Sequence, residues 1–163
     1  MLIPLATNYA KDIMFSANGI RQGDTMNTAI SFDSILAKYR KEAFSEQGKG
    51  SKFEKLMQAY LKTDPAYAAL LKDVWLWNDF PSKQEFGGKD IGIDLVARTH
   101  SGGYWAIQCK CVAADVYIDK PAVDSFLATS SKTFTDPVNF GTVGFEHRLW
   151  ISTTNHWGHN AEE

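Results

Sequence analysis

Apolar residues recur at helical spacing in the first part of this chain, and this pattern predicts three helices. The first covers 31–47, and the glycines within 48–50 are expected to end it. A second helix is expected to open at Ser51, with Glu54 completing a capping box. A third, short helix is predicted over 64–71, with an aspartate as its cap and a proline in its first turn.

The middle of the chain changes to patterns that are typical of strands. Segments rich in β-branched and aromatic residues predict strands over 74–80, 91–99 and 104–112. The Ser-Gly-Gly sequence at 101–103 supplies a turn, so the last two of these strands should form a hairpin.

The last part of the chain predicts one more helix and one more strand. The helix is expected to start at 119–121, residues 132–144 are loop-like, and the strand covers 147–153. A right-handed crossover through this helix would set the last strand parallel to its neighbour. The order of elements predicts an α/β domain with a mixed central sheet of four or more strands, flanked by helices.

Composition is typical of one globular domain. The chain has 163 residues, 44% of them hydrophobic. It has no apolar run of about 18 residues that would predict a membrane span, and its start does not resemble a signal peptide, so we expect a cytoplasmic protein. We expect residues 1–25 to be a leader or extension with little regular structure, and residues 26–163 to form the domain.

Charge and cysteine usage narrow the function classes. A net charge of −2 is not the footprint of a protein that grips DNA with its whole surface. The segment 38–62 contains seven basic and three acidic residues, which predicts either a local basic face or a solvated helix surface. Cys109 and Cys111 are expected to be reduced thiols. The histidines, including His156 and His159, do not supply a convincing second ligand pair for zinc.

Three polar residues on the predicted hairpin carry the candidate chemistry. Gln108 and Lys110 are two apart on one strand, so they project from the same face, and Asp94 lies on the partner strand. A three-residue loop at 100–102 would put Asp94 opposite Gln108, whereas a two-residue turn would send it to the other face. A carboxylate and an amide oxygen can bind Mg²⁺, and a nearby lysine can orient a water and stabilise charge on a phosphate. The alternative is an internal Asp94–Lys110 ion pair without a metal.

At these residues the sequence resembles the PD-(D/E)xK nuclease superfamily, and most of all its Mrr-like branch, whose core pattern is D…QxK. Here Asp94 lies in GIDLV, thirteen residues separate it from Gln108, and Lys110 completes QCK. The resemblance covers about residues 51–155. It implies a restriction-endonuclease-like core and Mg²⁺-dependent hydrolysis of phosphodiester bonds in DNA.

The resemblance also implies roles for individual residues. Asp94 and Gln108 would bind Mg²⁺, and Lys110 would aid the attacking water. A glutamate on the first core helix matches Glu54, which would be a further catalytic and metal-binding residue unless it only caps its own helix. Asp90 is a candidate second acid, or else it shapes the loop before the strand.

Several segments, among them FEKLMQAYL, GKDIGIDLVA and WAIQCKC, are similar to the amino-terminal nuclease domain of type ISP restriction-modification enzymes and of predicted helicases of similar build. This similarity implies that the chain is a fragment of a longer protein. An ATP-driven helicase and a methyltransferase are the candidate attached domains. ATP would then be used only outside this chain.

Two other functions stay open from the sequence. A non-catalytic nucleic-acid-binding module with a nuclease-like fold would depend on the basic segment 38–62 more than on Asp94. A glycosidase with paired aspartates is disfavoured, because acids four residues apart around a strand start are poorly placed across a sugar. Trp75, Trp77 and Trp105 could stack bases, but their alternating positions favour core packing.

Overall fold

The computed structural model describes residues 46–87, 92–113, 115–154 and 156–158. The predicted leader, most of the first predicted helix, and the side chains of Asp90 and His159 lie outside these residues. In the described ranges, none of the helices combines the length and the apolar character that a membrane crossing requires.

Helix α1 spans Glu46–Thr63 and runs through both glycines of 48–50. The predicted break there is therefore wrong, and Ser51 and Glu54 lie inside the helix instead of forming a capping box. Each glycine costs a helix about 1 kcal/mol relative to alanine, whereas burying each large apolar side chain contributes about 1.5–3 kcal/mol. A buried stripe of apolar side chains offsets the cost of the two glycines, so the helix continues past them. The stripe is formed by Phe53, Met57 and Leu61.

Helices α2 and α3 begin where the sequence predicted. Helix α2 spans Pro65–Leu70, and the carboxylate of Asp64 accepts hydrogen bonds from two backbone N–H groups of its first turn. Helix α3 spans Lys120–Ser130 and is capped in the same way by Asp119. Each helix has a proline in its first turn, where a backbone N–H has no partner within the helix.

The described residues contain five strands: β1 Leu71–Leu76, β2 Leu95–Thr99, β3 Tyr104–Lys110, β4 Thr133–Thr135 and β5 Thr142–Ser152. The first strand ends earlier than the predicted segment 74–80, because Trp77–Asp79 and Lys83–Phe86 form 3-10 turns. The prediction of a loop over 132–144 is wrong, since this segment contains β4 and the first residues of β5.

The strands form one sheet in the order β1-β2-β3-β5-β4. Strands β3 and β5 are parallel, and the other neighbours are antiparallel. The predicted α/β class, the mixed sheet and the parallel last strand are thus confirmed. Lys110 pairs with Ser152 at one end of the parallel pair, and Tyr104 pairs with Phe145 at the other. We call these the Lys110 end and the Tyr104 end.

Each face of the sheet buries its own apolar cluster. On one face, which we call the α1 face, the α1 stripe packs against Leu95 and Ile107. On the other, the α3 face, Phe126 of α3 packs with Val96, Ala106 and a group of aromatic side chains. Consecutive strand residues alternate between the two faces, so a residue's parity decides which helix it meets.

A buried polar network stabilises the Tyr104 end. The Tyr104 hydroxyl donates to Asp136 Oδ1 over 2.8 Å, and the Val138 N–H donates to the same oxygen over 2.9 Å. Burial alone would raise the pKa of Asp136, but these hydrogen bonds and the Arg98 guanidinium hold it below its ordinary value. The ionised carboxylate therefore ties β3 to the connection between β4 and β5.

We expect Asp136→Asn to destabilise the protein by about 1–3 kcal/mol near neutral pH, and the difference from wild type to shrink as the pH falls below about 4. The pKa of this carboxyl is lower in the folded state than in the unfolded state. Its stabilisation is therefore fully present above the unfolded pKa and is lost as the folded carboxylate becomes protonated. Urea unfolding of both proteins from about pH 7 to about pH 3 measures the effect. A destabilisation that does not change with pH would show that the charge of Asp136 contributes nothing.

Candidate active site

A three-residue loop joins β2 to β3 and decides which side chains face each other. The Thr99 N–H donates to the Gly103 carbonyl over 2.8 Å, which leaves 100–102 as the loop. Gly102 has φ 99°, a left-handed conformation that glycine adopts without strain. The predicted loop length is confirmed.

This register brings Asp94 next to Gln108 at the Lys110 end, although Asp94 immediately precedes β2 instead of lying within it. Gln108 Nε2 donates to Asp94 Oδ2 over 2.6 Å, and the backbone N–H of Cys109 donates to the same oxygen over 2.6 Å. The Asp94 N–H donates in turn to the Ile107 carbonyl over 2.9 Å. Two short, charge-assisted hydrogen bonds on one oxygen fix the orientation of this carboxylate.

The amide group of Gln108 is buried with one of its atoms unsatisfied. The residue is 3% exposed, and Oε1 has no hydrogen-bond partner among the described residues. The backbone of Gly92, with φ 80°, passes close by: a Cβ there would lie 3.6 Å from Gln108 Oε1 and 3.4 Å from Ser125 Oγ of α3. A buried unpaired acceptor costs about 1–3 kcal/mol, and hard cations bind amide oxygens. The orphaned oxygen therefore fits a cation site.

Lys110 lies on the same side of β3 as Gln108 and is partly exposed. Within the part of the chain that the structure describes, no salt bridge joins Lys110 to Asp94. The internal ion pair, which the sequence left open as an alternative, does not form there. Asp94 is bonded to Gln108 and to the Cys109 N–H instead.

The pKa of the Cys109 thiol is shifted by burial and by nearby charged side chains. Burial raises the pKa of Cys109 well above its ordinary value, the carboxylates of Asp94 and Glu54 raise it further, and Lys110 lowers it. Three of the predicted site residues therefore act on one buried sulfur near the Lys110 end. The raised pKa favours the protonated thiol, which is not a nucleophile.

Glu54 approaches this region from the other side of the sheet. It lies on α1, which packs on the α1 face, whereas the parity of Gln108 and Lys110 along β3 assigns these two residues to the α3 face. The helix interior position of Glu54 excludes the capping role. The structure thus bonds Asp94 to Gln108, sets Lys110 beside them, and brings Glu54 within electrostatic reach of Cys109.

The described residues contain no group of three or more His, Cys, Asp or Glu side chains that could hold a metal. A cation bound by Asp94 and Gln108 would have few protein ligands, which suits Mg²⁺ because this ion keeps several waters. Cys109 and Cys111 are free thiols, as expected.

Sequence reasoning missed two contributors to the site. One is the Cys109 backbone N–H, which leaves no trace in the sequence. The other is Gly92, two residues before Asp94, and a glycine at the entry of a strand is a usable signal for close backbone approach. No local pattern connects Gly92 with Ser125, since tertiary packing alone brings α3 to this point.

A solved structure of a larger protein is similar to this chain. Its title is "ATP-dependent Type ISP restriction-modification enzyme LlaBIII bound to DNA", with a TM-score of 0.54 and 30% sequence identity. The match covers 80% of this chain and 7% of that chain. No curated protein matches the sequence. The fold is therefore restriction-endonuclease-like, as the resemblance implied.

The sequence also matches a family described as Restriction endonuclease (Mrr_cat_2) over residues 62–163. The matched segment includes Asp94, Gln108 and Lys110 and begins after Glu54. It covers more than half of the chain and confirms the Mrr-like resemblance. The chain belongs to this restriction endonuclease family.

Proposed function

We propose that this chain is a Mg²⁺-dependent DNA endonuclease domain that hydrolyses phosphodiester bonds. The observation that carries the proposal is the Asp94–Gln108 hydrogen bond at the Lys110 end, with the orphaned amide oxygen of Gln108 beside it. Family membership supports the same activity.

Asp94 and Gln108 are the residues that would hold the cation. Mg²⁺ bound there would polarise a phosphate oxygen and lower the pKa of a bound water. Two donors already fix the Asp94 carboxylate, so little reorganisation is needed when a cation arrives. Gln108 is neutral, and the site therefore attracts the cation less strongly than a pair of carboxylates would.

Lys110 is the proposed partner of the attacking water. Its ammonium group can hold the water by a hydrogen bond and stabilise the negative charge that grows on the phosphate. The positive charge of Lys110 lowers the pKa of the neighbouring Cys109 thiol, and the backbone N–H of Cys109 contacts Asp94. The partly exposed position of Lys110 leaves its amine accessible to a phosphate from solvent.

DNA is the proposed substrate, and larger attached domains are proposed to deliver it. The similar solved structure is titled as an ATP-dependent enzyme bound to DNA, and this chain spans 7% of it. A helicase motor and a methyltransferase would lie in the remainder of such a protein, and ATP would be used there. The net charge of −2 supports this division, because other domains would supply most of the phosphate contacts.

A non-catalytic nucleic-acid-binding module is the second candidate. The observation behind it is that the described residues contain no cluster of three or more His, Cys, Asp or Glu side chains that could hold a metal. Such a module needs no cation, so its affinity for DNA would survive both chelation and the loss of Asp94. Cleavage measurements distinguish the two functions.

Asp94→Asn and Lys110→Ala should each lower Mg²⁺-dependent nicking of supercoiled plasmid by about 100-fold or more. The first change removes the charge that holds the cation, and the second removes the group that orients the water. Nicking rates are measured with Mg²⁺ and again with a chelator. Lys132→Ala is the matched control, because this exposed lysine follows α3 at the Tyr104 end and should leave the rate unchanged.

Full nicking by the Lys110→Ala protein, or equal nicking in the presence of the chelator, would contradict the proposal. DNA binding without any nicking by wild type, retained in Asp94→Asn, would favour the binding module instead.

Glu54→Gln should reduce nicking by about 10-fold, which is less than the effect of Asp94→Asn. Glu54 reaches this region from the α1 face, so we expect it to support the cation or its water from a distance. In a titration with Mg²⁺, the Glu54→Gln protein should need a higher Mg²⁺ concentration to reach half of its maximal nicking rate. High Mg²⁺ concentration should partly restore the rate. A loss as large as that of Asp94→Asn would make Glu54 an equal metal ligand, and no loss would remove it from the site.

A further inference from the structure

The most exposed aromatic side chains of the described residues are not the tryptophans that the sequence suggested for base stacking. Trp77 and Trp105 are 7% and 6% exposed and pack in the core, whereas Tyr117 is 63% and Phe140 is 80% exposed. Phe140 comes just before β5, at the Tyr104 end of the parallel pair. Tyr117 follows β3, at the Lys110 end, where the proposed active site lies.

The ring of Tyr117 is held by a fixed backbone. Its edge-on contact with His156 has a centroid distance of 5.3 Å and an interplanar angle of 76°. The Ile118 N–H donates to the His156 carbonyl over 2.9 Å, and the Gly158 N–H donates to the Ile118 carbonyl over 2.9 Å. The chain segments after β3 and β5 thus stay paired beyond the sheet. We call Tyr117 and His156 the aromatic platform.

The segments that carry Tyr117 and Asp94 are anchored in the same buried cluster. Ile118 and Ile93, the chain neighbours of Tyr117 and Asp94, belong to the same buried cluster. Both residues are nearly inaccessible to solvent, so the two segments are fixed relative to each other through the core of the α3 face.

The distance between platform and site has an upper limit. From Tyr117 the chain runs three residues to the start of α3 and then along the helix to Ser125, which is at most about 18 Å. Ser125 Oγ lies 3.4 Å from the position that a Cβ on Gly92 would take, beside Gln108 Oε1. With the further 3.6 Å from that Cβ position to Gln108 Oε1, the path from Tyr117 to the site is at most about 25 Å. A DNA strand advances about 3.4 Å per nucleotide, so the platform lies within about seven nucleotides of a phosphate bound at the site.

We infer that the aromatic platform stacks on an unpaired base of the DNA strand near the cut. The inference rests on the proposed function and adds a substrate class to it: DNA that has an unpaired base within about seven nucleotides of the scissile phosphate. Charge does not single out this surface, because the nearby Lys120 is paired with Asp124 over 3.5 Å. An exposed, rigidly held ring is what an unpaired base can use, since every base has an aromatic face.

The test is a fluorescence titration of the whole chain with a single-stranded oligonucleotide that carries 2-aminopurine, in the presence of a chelator. Tyr117→Ala should weaken binding by about 10-fold, and Tyr117→Phe should bind like wild type because the ring is kept. Phe140→Ala is the matched control, since Phe140 is also an exposed aromatic residue but lies at the Tyr104 end. The salt dependence of binding should be unchanged in Tyr117→Ala, because stacking releases no counterions.

Wild-type affinity in Tyr117→Ala, an equal loss in Phe140→Ala, or no binding of single strands by wild type would each overturn the inference. Unchanged affinity would instead assign the platform to contact with another protein segment. The nicking assay tests the proposed function separately. Failure to nick plasmid with Mg²⁺ would contradict the nuclease function, whereas the oligonucleotide titration alone tests whether the aromatic platform binds an unpaired base.

Discussion

The hydrogen bond from Gln108 to Asp94 depends on the length of the loop between β2 and β3. Because side chains alternate along a strand, a loop of two residues would have changed the pairing and moved Asp94 away from Gln108. With 100–102 as the loop, Asp94 Oδ2 receives both the Gln108 amide and the Cys109 N–H over 2.6 Å each. Chemistry at the Lys110 end is therefore set by a turn at the opposite end of the same hairpin.

The sequence was sufficient wherever a local signal decided the structure. Asp64 and Asp119 cap helices as predicted, because a short acceptor followed by proline acts within its own turn. The hairpin and its parity were also predictable, since glycine and alternation are properties of neighbouring residues. Local signals failed where packing decided. The glycines at 48–50 are carried through α1 by the buried stripe on the same helix, and β4 forms because it pairs with β5.

Glu54 shows the same difference between features that local sequence signals predict and features that packing decides. Its helix was predicted, but the face on which that helix packs depends on long-range contacts that no spacing in the sequence reveals. The electrostatic consequence is visible at Cys109, where two carboxylates and burial raise the pKa of the thiol and Lys110 opposes them. Cys109 itself belongs to the buried cluster of the α1 face. A carboxylate on the α1 face can thus act on the site through the field, without sharing a hydrogen bond with Asp94.

The parallel register of β3 and β5 connects the proposed cleavage site with the aromatic platform. This register sets Lys110 beside Ser152, and the Thr153 N–H then donates to the Lys110 carbonyl over 3.0 Å. Beyond this pair, an isolated parallel bridge joins Ile118, the residue after Tyr117, to Trp157. A shift of β5 along β3 would move both the lysine and the tyrosine relative to a bound strand. In the proposed complex, the distance from scissile phosphate to stacked base would therefore depend on the β3–β5 register and on the connection from β3 to α3 that carries Tyr117.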